Sequence, residues 1–252
     1  MRMTNPTRAA CAAALVTATM TIPTASHASG HRACPLPTYG PGRSYRPTIE
    51  PSDFSAHVTN PWFPLRPGTT YVYTGTKDGR HALDVVTVSR QTMAIDGVRT
   101  RVVQDRLFLD GALEERTADY YAQDRCGNVW YFGEDTAVLD ANGHVTDRSG
   151  SFRAGVGGAQ PGVYQQRAAE LGRWFRQEWS KGQAEDRYRA LTTAASVTVP
   201  YGTFRQALRT EEQTDLEPGV VDNKYYVRGI GVVRELTVKG GTESLQLVDV
   251  LR

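Results

Sequence analysis

Two pairs of adjacent carboxylates follow aromatic clusters in this chain: Glu134-Asp135 after Trp130-Tyr131-Phe132, and Glu185-Asp186 after Trp174-Phe175 and Trp179. Two carboxylates facing each other across a cleft can serve as acid and base in glycoside hydrolysis, and aromatic rings suit the faces of sugars. A plainer reading is also open, because acidic pairs at strand ends are commonly solvated or paired with arginines such as Arg187. Glu134, Asp135, Glu185 and Asp186 are therefore the catalytic candidates of a secreted hydrolase, set against a chain with no catalytic residue at all. In the noncatalytic case Trp130, Phe132, Trp174, Trp179 and Tyr226 line a groove that holds a small apolar or glycan ligand.

Other chemistries find little footing. The histidines beyond residue 28 are His31, His57, His81 and His144, and no two have metal-ligand spacing. No Gly-x-Ser-x-Gly elbow occurs. The glycines of Ala154–Gly162 lack the Lys-Ser/Thr that a phosphate-cradling loop needs. No cofactor and no metal is expected.

The amino terminus sets the compartment. Arg2 and Arg8 precede a short apolar run, Ala9 to Ile22, and Ser26-His27-Ala28 offers small residues for cleavage. Fourteen residues before Pro23 are too few to span a bilayer, so Met1–Ala28 reads as a signal peptide. The expected location is secreted, extracellular or cell-envelope, with no integral membrane segment after its removal. Cleavage leaves Cys34 and Cys126, which in an oxidising compartment are expected to bridge. It also removes two of 29 basic residues, leaving 27 against 27 acidic ones. A neutral mature chain argues against nucleic acid as a partner.

These residues must be positioned by the elements around them. Ser29 to Gly68 contains eight prolines, which exclude helix and central strand, so this stretch reads as an extended arm docked by Trp62 and Phe63. From Thr69 the chain turns to β structure. Thr69–Thr74, Ala82–Arg90, Val98–Leu109, Leu113–Gln123 and Val129–Gly133 are rich in β-branched and aromatic residues, with Asp-Gly turns between several of them. Ala154–Gly162 reads as a hinge, and Gln165–Leu171, capped by Gly172, as a turn or two of helix. Landmarks then recur at an offset of 104 to 105: Gly68 and Tyr71 as Gly172 and Phe175, and Tyr120-Tyr121 as Tyr225-Tyr226. The expectation is an all-β body, 69–252, made of two related halves (69–150 and 172–252) that form a curved sheet, half-barrel or barrel-like body.

Asn60-Pro61-Trp62-Phe63-Pro64-Leu65-Arg66-Pro67-Gly68, Tyr121-Ala122-Gln123-Asp124 with Gly127–Asp135, Lys181–Asp186 and Tyr225–Val233 resemble the signature stretches of an uncharacterised family of secreted or lipid-anchored β-rich bacterial envelope proteins. The closing motif also resembles that of half-barrel lipoprotein carriers. The resemblance implies an envelope location and carries no catalytic residue with it. Cys126 departs from the acidic residue that the family pattern has in that turn, so the bridge is particular to this chain.

Overall fold

A computed structural model of the protein describes residues 34–252. The expected signal peptide, Met1–Ala28, lies outside them. Among the described residues sixteen strands make one antiparallel sheet. Among the described residues the helical elements are two short 3-10 turns, Gly42–Ser44 and Pro51–Asp53.

The arm contributes β1 (Phe54–Ser55). The long strands β2 (Thr70–Lys77), β3 (Arg80–Ile95), β4 (Val98–Leu109), β5 (Ala112–Asp124) and β6 (Val129–Leu139) follow, then the short β7 (Val145–Asp147), β8 (Phe152–Arg153) and β9 (Gln160–Gln165). After β10 (Trp174–Arg176) and β11 (Glu178–Trp179), long strands return as β12 (Asp186–Val199), β13 (Gly202–Thr214), β14 (Val221–Val227), β15 (Gly231–Lys239) and β16 (Ser244–Leu251). Asp78-Gly79, Asp96-Gly97 and Asp110-Gly111 connect β2 to β5, and all six residues have positive φ, as primed two-residue hairpin loops require.

Strand neighbours run β10-β12-β13-β14-β15-β16-β2-β3-β4-β5-β6-β9-β11. Only Gln177 separates β10 from β11, so both ends of this order meet in one segment, Trp174–Trp179, and the sheet curls into a barrel-like body. A second seam pairs β16 with β2, Leu245 facing Gly75 and Leu247 facing Tyr73. A glycine stands at each seam. A Cβ on Gly75 would overlap the Ser244 carbonyl oxygen, and one on Gly162 the backbone of Arg176 and Gln177.

Alternation along the strands builds two apolar layers. Tyr71, Tyr73, Val103, Leu107, Tyr121 and Leu247 belong to the inner cluster, while Tyr120, Trp130, Phe132, Phe175 and Tyr188 form an outer one. Leu36, Ile49 and Phe54 of the arm cover the outer cluster. Cys34 is bonded to Cys126, with a Cα–Cα distance of 6.0 Å, and Arg176 donates to the Gly40 carbonyl at 2.9 and 3.1 Å. At the far end of the arm Trp62 is buried under the Arg228 guanidinium, 3.8 Å from the ring centre. The wholly buried Asn60 ties that end down. Its side chain accepts from the amides of Trp62 (2.8 Å) and Phe63 (3.1 Å) and donates to the carbonyls of Gly127 (2.8 Å) and Gln165 (3.3 Å).

One local expectation differs from what forms. Gln165–Leu171 is not helical, because side chains occupy its backbone: the Gln166 amide donates to the Tyr188 hydroxyl (3.2 Å), and the Glu170 amide to the Gln166 side chain (3.1 Å). In the Ala154–Gly162 stretch, residues 154–158 form a tight turn between β8 and β9, closed by the Gly155 amide on the Ala159 carbonyl at 3.0 Å. Pro161 and Gly162 already belong to β9.

Candidate functional site

Inward positions of successive strands carry acids where packed apolar residues would close a small barrel. Asp84 on β3 lies opposite Leu107, two residues from Asp105 on β4. Asp105 in turn lies opposite Thr117, two residues from Asp119 on β5, and Asp119 pairs directly with Glu134 on β6. Two residues along a strand is one face, so the four carboxyls form a diagonal row. The facing wall supplies Asp186 (β12), Glu212 (β13) and Lys224 (β14), with Glu178 from the closing segment. Lys224 pairs in register with Glu235 on β15, and its Nζ lies 3.0 Å from Glu212 and 3.5 Å from Glu235.

This belt lines two neighbouring interior pockets. An inner chamber of about 140 Å³ is walled by Phe63, Leu65, Tyr71, Tyr73, Asp84, Val86, Val103, Val232 and Leu245. A more open vestibule of about 590 Å³ is walled by Tyr131, Glu134, Glu178, Asp186, Glu212 and Glu217. Asp105, Asp119, Tyr121, Tyr164 and Lys224 line both.

Confinement shapes the protonation of these groups. Burial, and then the neighbouring Asp105 carboxylate, pushes Asp84 well above the usual carboxylate range. Burial does the same to Asp119, with Glu134 adding to it, although the Tyr131 hydroxyl donates to Asp119 at 2.5 Å. Burial raises Glu134 and Glu235 to about 7, and it also raises Asp105, Asp186 and Glu178. For Lys224, burial disfavours the ammonium, but Glu212 and Glu235 outweigh it and hold the pKa well above the ordinary value.

The four candidate carboxylates separate, one from each pair turning toward the vestibule, where Asp186 stays solvent-exposed. Glu134 and Asp186 line the vestibule. Asp135 faces outward, where it accepts from Tyr120 (2.7 Å) and Arg153 (2.5 Å). Glu185 accepts from the Gly182 amide at 2.8 Å and lines an outer depression with Tyr39, Gly42 and Trp179.

The five candidate aromatic residues do not share one groove. Trp130 and Phe132 meet Phe54 edge to face, at 5.7 and 5.3 Å, and the Trp130 indole donates to Asp124 at 3.1 Å. Trp174 packs near Tyr39 and under Arg189 (4.8 Å), and Trp179 lies under Arg176 (4.8 Å). These four bind the arm to the outside of the sheet. Tyr226 is buried with Trp62 and Leu208, and its hydroxyl donates to Glu212 at 3.3 Å.

Sequence reasoning missed Asp84, Asp105, Asp119, Glu212, Lys224, Glu235 and the tyrosines beside them. The legible signal was an acid on an otherwise apolar strand face, as in Val103-x-Asp105-x-Leu107. Among the described residues, Cys34, Asp124 and Cys126 lie close enough together to hold a metal. Their sulfurs are joined to each other, and Asp124 accepts from the Cys126 and Asn128 amides at 2.9 Å.

Two solved structures resemble the chain. One is a protein from Bacteroides fragilis described as exported, with a YmcC-like fold: 16% identity over 76% of this chain and 99% of that one, TM-score 0.44. The other, from Parabacteroides distasonis, is described as a lipoprotein: 12% identity, 75% and 98% coverage, TM-score 0.41. No protein-family model and no curated protein matches the chain. Likeness of this extent assigns neither family nor function, so the functional reading rests on the residues themselves.

Proposed function

We propose that the protein is an exported, noncatalytic binding protein that holds a small ligand inside its barrel. The observation that carries this reading is the interior: a tyrosine-lined chamber beside Phe63, Pro64 and Leu65, sharing five wall residues with an acid-lined vestibule. Small-molecule sites combine an apolar concave wall with a few convergent polar groups, and this interior has both. Export is supported by the charge, apolar run and small residues of Met1–Ala28, and by the bridge between Cys34 and Cys126. The two-halves reading is supported by strand placement, since β4 begins at 98 and β13 at 202, which is 202 − 98 = 104 residues later.

A glycosidase separates its two carboxyls in role, one held protonated and one ionised, by environments that push them apart. Here burial pushes Glu134 and Asp186 in the same direction. Their sequence neighbours Asp135 and Glu185 lie away from the vestibule, so the two acidic pairs do not face each other as pairs across one cleft.

Native mass spectrometry of protein purified from its own culture medium is the test. The expected result is a small-molecule adduct that denaturation releases. A bare mass in every preparation, together with no small-molecule class that raises the melting temperature, would overturn the reading.

A further inference from the structure

We infer that the ligand is an organic cation, an alkylammonium whose charged end sits against Asp84, Asp105 and Asp119 and whose alkyl body lies in the inner chamber. The inference rests on the binding reading above and names the class of ligand.

Charge comes first. Among the described residues, the row Asp84, Asp105, Asp119 and Glu134 has no salt-bridge partner. The nearby cations are already engaged, Lys224 by Glu212 and Glu235, and Lys77 by Glu243 at 3.5 Å. An ammonium seated there lets these carboxyls give up the protons that burial and their mutual repulsion hold on them, whereas a ligand carboxylate finds no free cation to meet.

An unmet acceptor points to the same class. Asp84 is 8% exposed and lines the inner chamber; its carboxyl shares a hydrogen bond with the equally acidic Asp105, and its Oδ1 meets no amide or basic group among the described residues. A buried acceptor left unpaired costs about 1–3 kcal/mol, more if charged, and a donor brought by a ligand relieves that cost. An ammonium brings three donors and a charge.

The remaining wall selects an organic cation over an inorganic one. Tyr71 and Tyr73 spend their hydroxyls on the carbonyls of Pro64 (3.3 Å) and Val232 (3.0 Å), which leaves their rings as lining. Aromatic rings attract ammonium groups, and Val86, Val103 and Leu245 offer apolar surface to an alkyl chain. A calcium ion would instead need six to eight oxygens around it.

The test is calorimetric titration of the full mature chain at pH 8 with hexylammonium, hexanol, hexanoate and calcium chloride. Hexylammonium is expected to bind at least tenfold tighter than hexanol, with no detectable binding of hexanoate. Asp84→Asn is expected to weaken hexylammonium at least tenfold while leaving hexanol unchanged, and Asp105→Asn serves where that variant loses its near-ultraviolet circular dichroism. Equal binding of hexanol or hexanoate would overturn the cation assignment and leave the binding cavity standing. Binding of calcium alone would replace it with a metal site. Binding of none of the four would overturn the cation assignment, and the bare mass described above would then separately remove the cavity as a binding site.

Discussion

Asp119 on β5 and Glu134 on β6 face each other directly across an antiparallel ladder, both turned into the barrel. Like charges directly opposite destabilise a sheet, and confinement resolves the conflict by keeping protons on the pair.

Stability should therefore fall as pH rises through neutrality. A carboxyl whose folded pKa is raised binds more protons folded than unfolded, so its contribution is complete below the unfolded value and is lost as pH passes the folded one. For Glu134 and Glu235 that window runs from 4.5 to about 7. Each contributes a slope of at most about 1.4 kcal/mol per pH unit, reduced by water in the cavity. Asp135 works the other way: burial opposes its ionisation, but bonds from Arg153 and Tyr120 hold it low, so its contribution is lost only as pH falls below the carboxylate range. Thermal melts from pH 4 to 9 should peak near pH 5, and Glu134→Gln should flatten the decline. A melting temperature that climbs from pH 5 to 8 contradicts this account.

Removing the Asn60 side chain should loosen the end of the barrel that Trp62 and Phe63 occupy. Asn60→Ala deletes four hydrogen bonds at a fully buried position, and a loss of about 2–4 kcal/mol is expected. Urea unfolding monitored by tryptophan fluorescence measures it, and a change below 0.5 kcal/mol would show that the arm end is held by packing alone.

Gly75→Ala should damage the seam between β2 and β16, because the added carbon meets the Ser244 carbonyl. Overpacking against backbone costs about 1–3 kcal/mol or more. Gly40→Ala is the control, since its nearest neighbour would be the Ser44 hydroxyl at 4.0 Å. Equal melting temperatures for the two variants would rule out a tight seam.

Cys126→Ser should release the arm and keep the sheet. Joining residues 92 apart restricts the unfolded chain by roughly 4–5 kcal/mol in the loop-entropy picture. Expected are an unchanged far-ultraviolet spectrum, a lower melting temperature and faster proteolysis before residue 54. Two alkylatable thiols in the native parent protein would remove the bridge.

The fold was largely written in local patterns. Val98–Leu109 has in the sequence the same limits as β4, and three Asp-Gly pairs mark hairpins that form at those residues. The site was harder to read, for a geometric reason. Glu134-Asp135 stood out because its members are neighbours in sequence, and in a strand neighbours point to opposite faces, so at most one could reach the interior. The row from Asp84 to Asp119 is assembled by strand register, which no single stretch of sequence displays. Trp130, Phe132, Trp174 and Trp179 were legible as large buried rings, but the arm that covers them has no periodicity to say which face it would take.

The β2–β16 seam joins the first long strand of the sheet to the last. Residues 70–77 can complete their pairing only when residues 244–251 are present, so each hairpin can form early and the ring closes last. Closing contacts so distant in sequence are slow, and until they form β2 presents an open edge to any other strand nearby. A nascent or truncated chain is thus most exposed to misassembly at the edge that Gly75 will later bring against Leu245.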